Sequence, residues 1–419
     1  MSEANSFADL LYKTADSEFR RDTTLILGGV KTFIVQNIES AHYVLRHNSK
    51  NYKKSMDWFR QTFGASRFTE NDESWRIRQE LSQTYLSRFD RDRAYQTSVL
   101  FGKSALDILV KNSNQGDKNI SDSVLRDLAA SIMLDVFFQR DLVKTGVALD
   151  DIAAMLQFGS EYSFVATKAQ FPRNADETRN FLKVRSRVLK ALQSFRMGDA
   201  TQGGLLDAMR KLDNEGSYGF RLEHEVAMFF AAASETTAAT LGWAAFILAR
   251  NPELQESLRG ALNGLPPLEE CDWRQIEQHG LLRNFVSEVL RIFPSTPVIA
   301  RRAIDHDRIG DYSVEAGEQI LVSMIGIQRE RRENQSFWNV NLADLSADAS
   351  STGNQISFSI GPRMCGGSRF AMLELMAILC LFIREGRFEQ TSDQPPQFIF
   401  QTQLMHDNGQ PVRVDYYKR

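Results

Sequence analysis

Cysteine is scarce in this sequence, and its three residues lie far apart. The chain of 419 residues contains only Cys271, Cys365 and Cys380. An odd number of widely separated cysteines, with no C-x-x-C pair, excludes a disulfide framework and a conventional zinc site. We therefore expect a protein of the reducing cytoplasm.

Excess charge of either sign and a long apolar run near the start are also missing. The 50 basic residues nearly balance 53 acidic ones, for a net charge of -3, which argues against a nucleic-acid-binding chain. The opening residues, MSEANSFADLLYKTADSEFRRD, contain no apolar stretch near the ~20 residues of a membrane helix. No repeat or long Pro/Gly/Ser-rich linker interrupts the chain. We expect a single soluble domain over residues 1–419, with neither membrane nor nucleic acid as partner.

Helical patterns dominate the sequence that is present. Apolar residues recur at three- and four-residue spacing within residues 39–47, 73–86, 95–111 and 120–139. Short strands are predicted at residues 23–27 and 31–36 and within 311–324, and residues 329–357 are predicted to be irregular. The fold class that these patterns predict is mainly α with small β-sheets.

The longest predicted helix covers residues 222–250 and ends before Pro252. It is apolar almost all round, so it must cross the core, yet Glu235, Thr236 and Thr237 lie at its middle. One interpretation is structural: the threonine hydroxyls bond to carbonyls one turn earlier, and Glu235 reaches solvent or a basic side chain. The other is that these groups perform chemistry, and both can hold together.

The segment FSIGPRMCGGSRFA, residues 358–371, surrounds Cys365 with glycines and arginines and leads into an apolar helical pattern. A thiolate is stabilised by backbone N–H groups and by the N-terminus of a following helix, and Gly366 and Gly367 permit that close approach. Arg363 supplies a fixed cation for an anionic ligand group. Because no further metal ligand stands at suitable spacing, a single axial thiolate to a haem iron is the best interpretation.

The same segment resembles the haem-binding signature of the cytochrome P450s, F-x-x-G-x-R-x-C-x-G-x-x-x-A. All six fixed positions match: Phe358, Gly361, Arg363, Cys365, Gly367 and Ala371. Glu288 and Arg291 resemble the family's E-x-x-R pair, and residues 232–237, AASETT, resemble its distal-helix motif. The order and spacing of these motifs agree with the family over nearly the whole second half of the chain.

The resemblance implies a triangular single-domain fold, with a long distal helix over haem b and a proximal cysteine loop. Cys365 would be the iron ligand, Phe358 would pack over the sulfur, and Glu288 with Arg291 would lock the segment behind the haem. Further residues expected at the cofactor are Arg301, Ala232, Trp75 and Arg78.

Three departures from the family pattern leave details open. Ala233 replaces a glycine of the distal motif. Four residues after Trp75, where the family has a propionate ligand, stands Gln79, so Trp75, Arg76, Arg78 and Gln79 are all candidates for that contact. The stretch QRERRENQSFW lacks the usual N-R-D-P form.

The implied function is a monooxygenase of the bacterial type that acts on a small, largely apolar organic molecule in biosynthesis or catabolism. Thr236 and Glu235 would handle protons during oxygen activation. A monomer is expected, and electrons would come from a separate ferredoxin or flavodoxin and a reductase, since no such domain is fused. A basic face for an acidic electron carrier, or simply a solvated helix face, is predicted from Arg76, Arg78, Arg88, Arg91 and Arg93.

The substrate pocket is predicted by family position only, and each of its candidates could equally belong to the core. The candidates are Trp58, Phe59, Phe63, residues 158–171, Phe229, Ala232, Val298, Ile299, Leu404 and Met405. Two other function classes stay open: a haem-thiolate peroxygenase or isomerase, for which Glu235 and Thr236 would be dispensable, and a haem-binding sensor without turnover.

Overall fold

The computed structural model describes residues 3–27, 29–163, 175–329, 338–340, 345, 355–400 and 403–418. Most of residues 329–357, predicted to be irregular, and most of the pocket candidates 158–171 lie outside these ranges. Helices account for the larger part of the described chain, and the strands are short. The predicted class, mainly α with small β-sheets, is confirmed.

Sixteen α-helices are found in the described residues, together with a π-helix at Tyr43–His47 and short 3-10 turns. They are α1 Glu3–Ser17, α2 Ile38–His42, α3 Asp57–Phe63, α4 Asp72–Ser87, α5 Arg91–Asn114, α6 Asp122–Phe138, α7 Leu142–Thr145, α8 Leu149–Ser163, α9 Ala175–Leu192, α10 Leu205–Glu215, α11 Leu222–Arg250, α12 Pro252–Leu262, α13 Trp273–Glu277, α14 Gly280–Ile292, α15 Met324–Gln328 and α16 Ser368–Glu385. Within the described ranges, none of them combines the length and apolar character needed to cross a membrane.

The strands form one small mixed sheet and three hairpin-like pairs. They are β1 Thr23–Leu27, β2 Val30–Val35, β3 Tyr52–Lys54, β4 Val298–Ala303, β5 Asp307–Ile309, β6 Tyr312–Val314, β7 Gln319–Ser323, β8 Gly386–Gln390, β9 Phe398–Phe400, β10 Leu404–His406 and β11 Val412–Tyr416. The sheet has the order β1-β2-β7-β4-β3, and the pairs are β5 with β6, β8 with β11 and β9 with β10. The antiparallel register of β3 and β4 places Lys54 opposite Arg301.

Helix α11 runs through the core with the bounds that the sequence predicts. Its 29 residues span about 43 Å, and most of its side chains are buried on every side. Trp243 anchors its second half: the indole N–H donates to the carbonyl of Leu404 at 2.7 Å, and the ring stacks on Phe293 at 4.0 Å. The polar groups at the middle of this helix are therefore held at fixed positions deep in the protein.

Glu288 and Arg291 on α14 form a buried ion pair rather than an exposed one. The guanidinium donates through Nε and Nη2 to the two carboxylate oxygens, each at 2.7 Å, and both side chains are about nine-tenths buried. Its Nη1 also donates to the carbonyl of Gln328, whose side chain accepts from the N–H of Ile356 and the hydroxyl of Ser357. This bonded chain ties α14 to the residues that directly precede the cysteine loop.

We predict that Glu288→Ala lowers the free energy of unfolding by about 3–5 kcal/mol, because it leaves the buried Arg291 without its counter-charge. Chemical denaturation measures the change. Arg76→Ala is the matched control, since its ion pairs with Glu73 and Glu80 are half exposed or more and should contribute little to stability. Equal losses in the two variants would contradict the structural role of the buried pair.

Candidate functional site

The cysteine loop is held by its own backbone. The N–H of Cys365 donates to the carbonyl of Phe358 at 2.8 Å, and α16 begins three residues later at Ser368. Gly361 has φ of +78°, and a Cβ there would lie 2.0 Å from the carbonyl oxygen of Leu45, so only glycine fits. A hydrogen bond from the backbone of Gly367 to the sulfur favours the thiolate.

The Cys365 thiol is exposed to solvent, yet it is surrounded by protein. Desolvation raises its pKa, while the N–H of Gly367 and the charges of Arg67 and Lys54 act in the opposite direction. A group that solvent reaches and that the protein nevertheless desolvates lines an interior cleft rather than the outer surface. No protein atom lies within 4 Å of a Cβ built on Gly367, so the backbone next to the cysteine is open to close approach.

Four cations gather around this cleft: Lys54, Arg67, Arg301 and Arg363. Arg301 is only 4% exposed, and the hydrogen bond it makes goes to the carbonyl of Ala300. Arg363 donates to the carbonyl of Glu70 and to Oδ1 of Asn71, and Lys54 to the carbonyl of Phe68. These acceptors are neutral oxygens, so the cations lack full neutralisation.

The pKa values reflect this accumulation of positive charge. Burial, followed by repulsion from Arg363, lowers the pKa of Arg301 to about 9. Burial also lowers the pKa of Arg363 to about 10 and that of Lys54 well below its ordinary value. Buried charges of one sign are costly unless an opposite charge joins them. Among the described residues no carboxylate forms an ion pair with Arg301 or Arg363.

These observations fit the haem that the sequence predicts. A haem offers an iron that accepts a thiolate ligand and carboxylates that would neutralise the cations. No group of three or more metal-ligating side chains occurs in the part of the chain that the structure describes. The donor set is thus one sulfur with surrounding cations, as a haem-thiolate site requires.

The four candidates for a propionate contact on α4 are separated by the structure. The ring of Trp75 lies beneath the guanidinium of Arg363 at 3.9 Å, so Trp75 belongs to the cation cluster. Arg78 does not belong to the cluster. Its Nε lies 2.8 Å from Oε1 of Glu225, and both side chains are buried. Arg76 is exposed and bonded to acids on its own helix. Gln79, on the same helix, is half buried.

Arg67 is a member of the cluster that the sequence did not reveal. Its Nη1 donates to Ser82 at 2.7 Å, and a Cβ built on Gly366 would lie 2.5 Å from its Nη2. It precedes α4 in an irregular segment, where no periodic pattern or motif marks it. Its backbone N–H donates to both oxygens of Glu225, which links this position to the first turn of α11.

Near the middle of α11, side chains on one face of the helix are accessible to solvent. Ala232 is exposed, and Ala233 and Thr236 are half buried, although Ala231, Ser234, Glu235 and Thr237 are buried. The hydroxyl of Thr236 donates to the carbonyl of Ala232 at 2.8 Å, as the structural interpretation predicted. Thr237 differs from that prediction, because its hydroxyl donates to Oε2 of Glu374 on α16 at 3.1 Å. Through this contact α11 packs against the helix that follows Cys365.

Glu235 is buried, and its carboxyl group is incompletely hydrogen-bonded in the described structure. Its side chain is 5% exposed, its Oε1 has no hydrogen-bond partner in the described structure, and the Nε of Arg126 lies 3.9 Å away. Burial raises the pKa of Glu235 to about 7, and the charge of Arg126 limits the rise. A carboxyl group with this pKa can take up and release a proton at neutral pH.

Glu374 is a second buried carboxyl group that the sequence analysis overlooked. It is 1% exposed, and burial raises its pKa to about 8. Its position three residues after Ala371, on one face of a helix that is otherwise apolar, was the available signal. The protonated carboxyl group is the form that suits this environment at neutral pH.

Several substrate-pocket candidates prove to be core residues. Side chains that line an open pocket expose surface to it, but Phe63 and Leu404 are 0% exposed, Val298 2% and Phe59 3%. Phe63 and Phe59 pack in the cluster of α3, α6, α8 and α11, whereas Leu404 and Val298 pack in the main core. Phe229 and Ile299 are half buried and, with the exposed Ala232, keep surface available.

The predicted basic face is largely neutralised. Arg76 and Arg78 are paired with acids, as described above. Arg93 forms an ion pair with Asp135 at 2.7 Å. Arg91 lies 3.7 Å from Glu277 and over the ring of Trp273. These side chains mainly join helices to one another, which is a structural use of charge. The alternative interpretation, a solvated helix face, fits the exposed Arg76, whereas Arg78 is buried.

The chain is similar to known proteins in both sequence and fold. The family model for the cytochrome P450s matches residues 13–412. A cytochrome P450 monooxygenase named ptmK from Penicillium ochrochloron is 30% identical over 54% of this chain and 46% of its own length. Secologanin synthase 2 of Catharanthus roseus is 28% identical over 48% of this chain and 41% of its own. The chain thus spans about half the length of the curated relatives it matches. A crystal structure of a cytochrome P450, CYP102L1, superposes with a TM-score of 0.77 over 98% of both chains at 18% identity.

We predict that Glu374→Gln removes a pH-dependent loss of stability. The pKa of about 8 in the folded protein exceeds the ordinary 4.5, so folding binds this proton more tightly. Stability from this group is therefore complete below about pH 4.5 and is lost as pH rises towards 8. Thermal unfolding midpoints at pH 5, 6, 7 and 8 should show the variant gaining on the wild type at each step. A constant difference across this range would show that the carboxyl group is not perturbed.

Proposed function

The chain belongs to the cytochrome P450 family, and on this premise we propose that it is a haem-thiolate monooxygenase. It would insert one oxygen atom from O2 into a small, largely apolar organic substrate by hydroxylation, epoxidation or a related oxidation. The observation that carries this proposal is the combination of an accessible, desolvated Cys365 with buried cations that lack acidic partners.

Cys365 and the nearby cations would hold haem b. Cys365 would supply the thiolate ligand, and Arg301, Arg363, Lys54 and Arg67 would neutralise the carboxylates of the cofactor. When bound, this cofactor supplies the redox chemistry by which O2 is activated. Phe358 fixes the loop, since its carbonyl bonds the N–H of Cys365, and the N–H of Gly367 moderates the charge on the sulfur.

Glu235 would supply protons, and Thr236 would accept a hydrogen bond at the open face of α11. The Glu235 carboxyl group can release a proton near neutral pH and recover it from solvent. The hydroxyl of Thr236, fixed by its bond to the Ala232 carbonyl, keeps its own oxygen free to accept a hydrogen bond at the open face of α11. A peroxygenase or isomerase would need neither group, so their presence in this arrangement favours the monooxygenase.

Water would be excluded from the reacting atoms by apolar side chains. Phe229 and Ile299 are the half-buried candidates that would contact the substrate, next to Ala232 on α11. Because these contacts are apolar, the substrate class is a small organic molecule with few polar groups.

The remaining parts of the proposal follow from the family resemblance. They are a single domain over residues 1–419, a monomer in the cytoplasm, electrons from a separate ferredoxin or flavodoxin and its reductase, and a place in a bacterial biosynthetic or catabolic route.

The absorption spectrum of the reduced, carbon-monoxide-bound protein tests the axial ligand. We expect a strongly red-shifted Soret band in the wild type and its loss in Cys365→Ser, because only a thiolate shifts the band in this way. Cys380→Ser, which changes a buried cysteine within α16, is the control and should keep the band. Haem-replete wild-type protein without the shift would refute the proposed site.

Replacement of Thr236 by Ala tests the proton step. With a competent redox system and a substrate found by screening, we expect NAD(P)H consumption to continue while product per electron pair falls by about tenfold or more. The lost electrons should appear as hydrogen peroxide or water. Thr240→Ala, one turn later on α11 and buried, serves as the matched control. Unchanged product yield in Thr236→Ala would favour the peroxygenase or isomerase instead.

A further inference from the structure

Arg67 packs against the cysteine loop itself. A Cβ built on Gly366 would lie 2.5 Å from Nη2 and 3.0 Å from Cζ of Arg67, and 2.9 Å from Oε1 of Gln83. The guanidinium therefore lies directly against the backbone of the residue that follows Cys365. The family signature leaves position 366 variable, but in this chain a side chain at that position would displace the guanidinium.

The position of Arg67 is fixed at both ends. Its backbone N–H donates to Oε1 and Oε2 of Glu225 at 3.1 Å each, and Glu225 is 2% exposed in the first turn of α11. At the other end, Nη1 donates to Oγ of Ser82 at 2.7 Å and Nη2 donates to Oε1 of Gln83, both on α4. Two long helices thus hold the main chain and the side chain of one arginine, so its charge has a defined place beside the loop.

The guanidinium of Arg67 is not neutralised by an acid. Ser82 and Gln83 are neutral acceptors, and no carboxylate of the described residues forms an ion pair with this side chain. Glu225, which accepts from the backbone N–H, has Nε of Arg78 at 2.8 Å from its Oε1, so its charge is matched by a different arginine. A partly buried cation without a counter-charge acts strongly on any negative charge next to it.

The sulfur of Cys365 is the negative charge next to Arg67. Burial lowers the pKa of Arg67, and the Cys365 thiolate opposes this effect more strongly than Glu225 does. Burial likewise raises the pKa of Cys365, and after the N–H of Gly367 the charge of Arg67 opposes it most, ahead of Lys54. Position and charge therefore couple this arginine to the sulfur.

We propose that Arg67 is a positioning residue that acts through Cys365: its fixed charge holds electron density on the sulfur and raises the reduction potential of the bound iron. The inference rests on the proposed function and specifies a control on its first electron transfer. One electron from the redox partner makes the site more negative by one charge, and no bond forms or breaks. A cation beside the thiolate stabilises that more negative state. This role is additional to neutralisation of the cofactor's carboxylates.

Spectroelectrochemical titration of the substrate-free, haem-loaded protein measures the potential. Arg67→Gln removes the charge but keeps a polar side chain, and we expect the equilibrium constant for one-electron reduction to fall about tenfold, which corresponds to about 59 mV. Arg67→Lys returns the charge without the paired hydrogen bonds and should recover more than half of the loss. Arg187→Gln is the matched control and should leave the potential unchanged, because Arg187 is an exposed residue of α9 that pairs with Asp151.

The iron–sulfur stretching band in resonance Raman spectra is a readout specific to the sulfur. In Arg67→Gln we expect this band to move to higher frequency, because the sulfur then donates more electron density to the iron. A cation that acted only on the carboxylates of the cofactor would change the potential and leave the band in place. A lowered potential with an unmoved band would therefore contradict the inference.

Gly366→Ala is a second test, which leaves the charge of Arg67 in the protein. The added methyl group must displace the guanidinium, so we expect the equilibrium constant for reduction to fall about threefold. In the Arg67→Gln background the same substitution should have little further effect, because the displaced side chain no longer carries a charge. If Arg67→Gln retains too little haem, the comparison of Gly366→Ala with the wild type takes its place.

Equal potentials in the wild type, Arg67→Gln and Gly366→Ala would overturn the inference, because the guanidinium would then have no influence on the iron. These measurements need neither substrate nor turnover. A wild-type protein without the red-shifted carbon-monoxide band would refute the proposed function instead, so the two failures are distinguishable.

Discussion

A helix that crosses a protein core can carry polar groups only where each of them has a partner or a use. Helix α11 meets this constraint at three levels. Glu225 near its start holds Arg78 and the backbone of Arg67, Thr237 holds Glu374 on α16, and Glu235 lies 3.9 Å from Arg126. The first two contacts fix the helix against α4 and α16. The third leaves a buried carboxyl oxygen without a hydrogen-bond partner in the described structure.

The same constraint on buried polar groups applies to the charged residues around the cysteine loop. Arg301 is buried, and Arg363 is held by oxygens that carry no full charge. Their lowered pKa values reflect burial first and repulsion between cations second. An anionic ligand would reduce this cost, as the carboxylates of the proposed haem would. The ring of Trp75 beneath Arg363 keeps one of these cations in place.

The buried pair of Glu288 and Arg291 helps to position Cys365 through a series of intervening residues. Its bond to the carbonyl of Gln328, and the bonds from Gln328 to Ile356 and Ser357, end next to Phe358, whose carbonyl holds Cys365. Three segments that are remote in sequence, at residues 288–291, 328 and 356–365, are thus joined by hydrogen bonds. The position of the sulfur is consequently set by the packing of α14 as well as by its own loop.

The sequence by itself determined the fold class, the bounds of α11 and the identity of the cysteine segment. These features are local: apolar periodicity marks a helix, and glycines beside a cysteine mark a loop that must turn tightly around a sulfur. Only the tertiary structure decided which cations gather at the cleft, that Arg78 serves Glu225 while Arg67 joins the cysteine loop, and that Phe63 and Leu404 are core. It also decided that Glu235 borders a cavity formed by α6, α8 and a distant hairpin. The reason is physical: burial and electrostatic partnership depend on which residues meet in space, and contacts across hundreds of residues leave no periodic trace in the chain.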